Sequence, residues 1–329
     1  MNEFDLIRKL TASLAKNAGV VVGPGDDCAV LDVGILGWWL LLKTDALVEG
    51  VHFEPDADPL KVGHKALARC LSDVAAMSGI PLNAVVTLGL PGEPQTERLE
   101  RIYQGMEETA RAFDVSIVGG ETTHSPGQFF ISVSLVGRVE PGRCVLRSTA
   151  QVGDAVFVTG ELGGSILGRH LEFQPRLVES RWLTEQFQIH SMIDLSDGLG
   201  GDLRHILNAS GVGAELLAEA IPVSKPSKRM ARTRASLAVP SPSEAAAEGA
   251  AVSARTALSG ALGDGEDYEL LFTLASRDAV ALLDRWKSRF PGTRLSCVGK
   301  LVAQEGVRIR GTKGVQPLQL HGYDHFQKS

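Results

Sequence analysis

Acidic residues recur in this sequence beside glycine, serine and threonine, where apolar runs end. "GPGDDCAVL" offers Asp26 and Asp27, "KTDALVEGVHF" offers Thr44, Asp45 and His52, and "LSDVAAMSG" offers Asp73. "VGGETTHSPG" sets Glu121 behind two glycines, "IDLSDGLGGDL" supplies Asp194, Asp197 and Asp202, and "GDGEDYELLF" supplies Asp264, Glu266 and Asp267. These residue types suit cations held around phosphates. Mg²⁺ takes hard oxygen ligands and keeps several waters, so carboxylates from separate loops can share a few ions. Phosphoryl transfer depends on positioning and charge neutralisation more than on covalent help. Glycines let backbone N–H groups approach phosphate oxygens. One acidic turn is ordinary, because Asp stabilises turns by local hydrogen bonding. Their recurrence at the ends of predicted elements is what favours metal and phosphate.

Other catalytic devices are missing from the sequence. It contains no GxxxxGK[ST], no GxGxxG after a strand, no GxSxG and no HExxH. Single residues keep two readings. His52 is either a half-buried polar residue at a strand end or a contact near Asp45. Arg147 either pairs with an acid or clamps phosphate. Trp38 and Trp39 read as core or interface aromatics. The Arg and Lys residues of 225–235 read as a solvated surface.

These side chains need elements to position them. Phe4, Ile7, Leu10 and Leu14 recur at helical spacing over residues 3–16. Short apolar runs at Cys28–Val33 and Trp38–Lys43 predict strands. Asp58-Pro59 opens a helix that Gly79 and Pro81 stop. "NAVVTLGL" predicts a buried strand, Thr96 to Phe113 a helix, "VSIV" a short strand leading into the Gly119-Gly120 turn, and "FFISVSLVGRV" another strand. After Gly153-Asp154 come a strand, a helix from about Gly163, and "SMID" as a strand before a carboxylate-rich turn and helix. "YELLFTL" and "SRDAVALLDRWKSRF" read as strand and helix. Alternating strands and helices make the class α/β or α+β.

Residues 224–256 are rich in Ala, Ser, Pro and Arg, which predicts a mobile insertion with one short helix around Ser243–Ala251. The 329 residues suggest two domains, divided as 1–147 and 148–329. A net charge of -6 argues against a nucleic-acid or anionic-membrane surface. Four scattered cysteines without a CxxC pair read as reduced thiols. The N-terminus lacks the apolar run of a signal peptide, and "VGILGWWLLL" is too short to span a bilayer, so the expectation is a soluble cytoplasmic protein.

The ordered motifs resemble the thiamine-monophosphate kinase family, whose superfamily includes aminoimidazole-ribonucleotide synthetase and selenophosphate synthetase. "GDDCAVL", "TDALVEGVHF", "KALARCLSDVAAMSG", "GGETT", "LRSTAQVGDAVFVTGELG", "IDLSDGL", "GEDYELLF" and "GYDHF" follow one another from Gly25 to Phe326. The resemblance implies an aminoimidazole-ribonucleotide-synthetase-like fold. Its N-terminal mixed sheet forms a homodimer interface and its C-terminal domain is α/β. It implies that ATP and thiamine monophosphate, with several Mg²⁺ ions, give thiamine diphosphate by direct in-line transfer without a covalent nucleophile. Carried over by motif, Asp26, Asp27, Thr44, Asp45, Asp73, Glu121, Asp194 and Asp197 are metal ligands. Tyr103, Gly120, Glu121, Arg147 and Ser196 contact ATP, and His52, Glu266 and Tyr323 contact the thiamine phosphate.

Two positions depart from the family pattern, which usually has Asp where Glu121 stands and a small residue where Lys43 stands. Strand alternation is expected to turn Lys43 away from the site. A same-fold enzyme of different substrate and a non-catalytic nucleotide-binding paralogue remain open alternatives.

Overall fold

A computed structural model describes residues 3–237, 256–312 and 314–318. The elements in chain order are α1 (Glu3–Thr11), β1 (Val20–Val22), β2 (Ala29–Leu31), β3 (Trp39–Val48), α2 (Pro59–Ala76), β4 (Ile80–Leu90), α3 (Thr96–Ala112), β5 (Ser116–His124) and β6 (Phe130–Val139). There follow β7 (Asp154–Thr159), α4 (Leu177–Gln186), β8 (Ile189–Asp194), α5 (Leu199–Ser210), β9 (Gly213–Leu217), α6 (Lys225–Leu237) and α7 (Ala257–Gly263). The chain closes with β10 (Leu270–Ala275), α8 (Ala279–Arg289), β11 (Leu295–Val302), β12 (Val307–Gly311) and β13 (Gly314–Pro317).

The described residues form two compact units. One holds the chain up to Thr149 together with His170–Asp194; the other holds Ala150–Arg169 and the chain from Leu195 onward. The division expected near residue 147 thus has an exchange: α4 and β8 go with the first unit, because both pack on α2. The Ser180 hydroxyl donates to the Ala75 carbonyl at 2.5 Å, and Arg181 donates to the Ser78 carbonyl at 2.9 Å.

In the first unit a mixed sheet runs in the order β1-β2-β3-β6-β4-β5. β3 pairs antiparallel with β6 along its whole length, and β4 and β5 run parallel, joined by α3. Side chains alternate across the sheet. Val86, Leu88, Ile131, Val133 and Leu135 fill its inner face with Leu41 and Leu47, while α2 and α3 contribute Leu67, Cys70, Val74, Ile102 and Met106 to the same core. Asp58 caps α2 by accepting from the Leu60 N–H at 3.1 Å, and Pro59 follows where no N–H is needed. α2 and α3 cross on two glycines. A Cβ at Gly63 would lie 1.9 Å from the Ile102 carbonyl oxygen, and one at Gly105 would lie 1.9 Å from that of Leu60.

In the second unit β7 pairs antiparallel with both β10 and β11, β11 with β9, and β12 parallel with β9. Phe157 and Phe272 stand opposite each other on β7 and β10 and stack at 5.6 Å.

Several expectations are corrected. α1 ends at Thr11 rather than residue 16, and its Ile7 and Leu10 are exposed. The strand predicted as "VSIV" continues to His124, so Gly119, Gly120 and Glu121 lie within β5, held by pairing to β4, and not on a turn. Residues from Gly163 form two 3-10 turns, Ser165–Leu167 and Arg169–Leu171, because Gly164 and Gly168 take positive φ angles that interrupt an α-helix. Lys225–Leu237 is the helix α6, where a mobile insertion was expected. Its start is fixed by the Ser224 hydroxyl, which accepts from the Ser227 N–H at 3.0 Å. The helix expected around Ser243–Ala251 lies outside the described residues, as does Tyr323. Trp38 is half-buried, with the Arg138 guanidinium 4.2 Å above its ring, which is a surface stacking role and not a core one.

Candidate functional site

The first unit carries a row of charges inside its core. Leu41, Lys43, Asp45 and Leu47 are odd-numbered residues of β3 and share the face that meets α2, while Thr44 and Ala46 face outward and are exposed. α2 answers with Arg69, Ser72 and Asp73, whose spacing of three and four keeps them near one face. Lys43 Nζ donates to Asp73 Oδ1 at 2.7 Å and lies 3.7 Å from Asp45 Oδ1. Arg69 Nε lies 3.9 Å from Asp45 Oδ2. Lys43 therefore points into the acids. The expected turning away fails because residues two apart on a strand share a face, so Lys43 goes wherever Asp45 goes.

Two further segments converge here. Asp27 sits between β1 and β2, and Asp194 ends β8. Carboxylate oxygens of Asp27, Asp73 and Asp194 all lie within 4.8 Å of one another, and all three residues are buried. The Ser72 hydroxyl donates to Asp194 Oδ2 at 2.6 Å. Arg147 spans Asp27, with Nη2 2.5 Å from Oδ1 and Nε 3.3 Å from Oδ2, and its backbone N–H donates to Asp26 Oδ2 at 3.2 Å.

Charge crowding shifts these groups. Burial, then the Asp27 charge, pushes the Asp194 carboxyl up to about 7. The same two causes push Asp26 up to about 6. Burial holds Asp73 well above the ordinary carboxylate range; Lys43 opposes this, but Asp45, Asp194 and Asp27 crowd it. Burial also works against Asp45, yet Lys43 and Arg69 together outweigh it and hold that carboxyl low. Lys43 is desolvated too, and Asp73 and Asp45 keep it firmly protonated. Five carboxyl groups thus face three cations, Lys43, Arg69 and Arg147; once all five are ionised they outnumber those cations, and a bound cation would neutralise the excess.

The other residues singled out from sequence lie elsewhere. Thr44 is on the outward face, accepting from the Ser134 hydroxyl at 3.1 Å. Glu121 is exposed on β5; its pairing with Thr87, and Thr87 with Ser132, places it on that same outward face, away from Asp45. Gly120 is where β5 closes on β4, since a Cβ there would lie 1.9 Å from the Val86 carbonyl oxygen. Tyr103 is partly exposed on α3. His52 folds back at the end of β3, its Nδ1 accepting from the Val48 N–H at 3.0 Å. Its carbonyl accepts from Lys65 Nζ at 2.7 Å, and that lysine is fully buried, 2.8 Å from His170 Nδ1.

In the second unit Asp197 joins Asp202 and His205 in a separate group, its N–H donating to Asp202 Oδ2 at 3.0 Å. The loop at Ser196 is tied to the Glu266 loop: the Ser196 carbonyl accepts from the Glu266 N–H at 2.7 Å, and that of Leu195 from the Tyr268 N–H at 2.8 Å. Glu266 and Tyr268 hold left-handed backbone at φ 55° and 50°, and the Tyr268 hydroxyl donates to Glu266 Oε1 at 3.3 Å. Such backbone costs roughly 1–3 kcal/mol per residue and persists where surrounding structure enforces it. Nearby, buried Asp267 accepts from the Gly163 N–H, the Ser165 hydroxyl and Arg169; burial raises its carboxyl to about 6.

Sequence reasoning missed Lys43, Arg69 and Ser72 as members of the site. The available signal was a pair of charges, Lys43 and Asp45, in the core-facing register of an otherwise apolar strand.

The stretch that carries β2 to β6 with α2 and α3, residues 25–139, matches the family of AIR synthase related proteins, N-terminal domain. The thiamine-monophosphate kinase of Rhodopirellula baltica is 38% identical over 301 residues, covering 88% of this chain and 85% of the relative. That of Bacillus subtilis is 30% identical, covering 99% of this chain and all of the relative. The chain belongs to the thiamine-monophosphate kinase family. Among solved structures, AaThiL complexed with AMPPCP and TMP matches at a TM-score of 0.78 and 30% identity, covering 99% of this chain and 97% of that one. The HypE–HypF complex matches at 0.74 with 20% identity, a likeness of fold alone.

Proposed function

We propose that this chain transfers the γ-phosphoryl group of ATP to thiamine monophosphate, giving thiamine diphosphate and ADP, with Mg²⁺ held by the buried acids of the first unit. The observation that carries this reading is the Asp27–Asp73–Asp194 cluster, three buried carboxylates with oxygens within 4.8 Å of one another. Hard oxygen donors in excess of their neighbouring cations suit a divalent ion, so the residues fit the group. Bound there, Mg²⁺ would neutralise charge on the transferring phosphates. Asp26 and Asp45 flank the cluster, and Arg147 orients Asp27 through both of its carboxylate oxygens.

The acceptor is a phosphate oxygen of the substrate. It attacks the γ-phosphorus directly, the bond to the β–γ bridging oxygen breaks and ADP leaves, so no side chain serves as a covalent nucleophile. Gly120, Tyr103 and Ser196 are assigned to the nucleotide, and His52, Glu266 and Tyr323 to the thiamine phosphate. A carboxylate such as Glu266 is a suitable neighbour for a cationic thiazolium, and an aromatic face is another. Thr44, Glu121 and Asp197 are assigned to cations outside the buried cluster. The reading includes a cytoplasmic homodimer with the two parts expected from sequence. Its support is the outward face of the first sheet, where Leu42 and Val85 are 44% and 43% exposed.

The test is direct. Purified protein with ATP, Mg²⁺ and thiamine monophosphate should form thiamine diphosphate, measured as its fluorescent thiochrome after chromatography. ATP binding without product would sink the kinase reading and favour the non-catalytic paralogue, which the insertion of Lys43 among the acids supports. Light scattering on the same sample should give twice the chain mass; the monomer mass would refute the dimer.

A further inference from the structure

The Lys43 ammonium sits where two acids from different elements converge. Nζ is 2.7 Å from Asp73 Oδ1 on α2 and 3.7 Å from Asp45 Oδ1 on β3. Bridging carboxylates of separate segments is what a divalent ion does at such a place. Lysine does it with a compact point charge and three rotatable donors, without the octahedral geometry that Mg²⁺ demands. The strand fixes this arrangement, because positions 43 and 45 share the core-facing side and Leu41 and Leu47 bury the row at each end. Asp73 is then shared. Towards Asp45 it meets Lys43; towards Asp27 and Asp194 it belongs to the three-carboxylate group. The remaining acids have their own partners, Ser72 on Asp194 and Arg147 on Asp27.

We infer that Lys43 is a tethered cation filling the Asp45–Asp73 position, so that this chain binds one divalent cation fewer than it would with a small polar residue at 43. The inference rests on the reading of the Asp27–Asp73–Asp194 group as a divalent-cation site. It makes Lys43 a positioning residue for the acids, present in every state of the protein, where a dissociable ion would be present only above its own dissociation constant. Part of the site is thereby built at low free metal.

Mn²⁺ alone serves as the probe, with free ion counted by electron paramagnetic resonance during titration of the full chain. Lys43→Ser should bind one Mn²⁺ more per chain than the unaltered protein, and Lys43→Arg, which keeps a cation, should bind the unaltered number. Equal numbers in all three proteins would overturn the inference whatever the kinase activity, and absence of Mn²⁺ binding in the unaltered protein would overturn both it and the metal reading. Should Lys43→Ser fail to fold, Lys43→Thr, also small and uncharged, carries the same expectation of one Mn²⁺ more, and a count equal to that of the unaltered protein would overturn the inference.

Discussion

At the scale of single residues, the site is a set of acids held apart by a few fixed cations. Arg147 is the clearest case, because it grips the buried Asp27 through both carboxylate oxygens. Removing one partner of a buried pair leaves the other charge desolvated and typically costs about 3–5 kcal/mol. Arg147→Ala should therefore destabilise the protein by about that much in urea unfolding, and adding Asp27→Asn should recover most of the loss. Additive effects of the two changes would mean that the pair contributes no coupling. Glu121 stands at the other extreme. Exposed on the outward face, it has no part in this balance of charge, and its extra methylene relative to Asp strains nothing in the cluster.

At the scale of elements, the cluster exists because α2 lies close over β3 and β8. That placement depends in turn on how closely α3 lets α2 approach. The Gly105 position meets the Leu60 carbonyl at 1.9 Å, and the obstacle is backbone that cannot rotate aside. Gly105→Ala should separate α2 from α3 and cost about 1–3 kcal/mol as overpacking, read as a lowered unfolding midpoint. Gly142→Ala is the control, since nothing lies within 4 Å of a Cβ there. A Gly105→Ala midpoint equal to that of the control would show that the helix pair gives way freely. β5 illustrates a different constraint, in which pairing with β4 converts a glycine-rich stretch into extended edge strand.

At the scale of the whole molecule, crowded acids link stability to pH and metal. Asp194, raised to about 7, and Asp26, raised to about 6, keep protons in the folded state that the unfolded chain has already released. The stability these groups contribute is greatest below the ordinary carboxylate range and falls as pH rises from about 4 towards about 7 in the metal-free protein. A divalent ion needs the ionised forms and offsets that loss. Mg²⁺ should accordingly raise the melting temperature more at about pH 7.5 than at about pH 5, measured by differential scanning fluorimetry. Equal shifts at both would argue against binding through these carboxylates. None of the described helices is long and apolar enough to cross a membrane.

The sequence by itself determined the alternation of strands and helices and the run of acidic motifs, because hydrophobic periodicity, caps and turn residues are local. The start of α2 at Asp58-Pro59 and the strand at "SMID" needed nothing beyond their own residues. It also placed Asp27, Asp73 and Asp194 among the chemically interesting positions, though nothing in it said that these three meet. Tertiary structure decided which acids come together. Asp45 and Lys43 turn inward because β3 is covered by α2, while Thr44 and Glu121 turn outward because register assigns alternate residues to opposite faces. The "GGETT" stretch reads locally as a turn and becomes strand only through its neighbour β4. α6 forms in a stretch poor in large apolar residues, against a composition that argued for disorder. Burial then set the charge balance, raising Asp194 and Asp73 and making Lys43 a partner of acids that composition alone would have left to a metal.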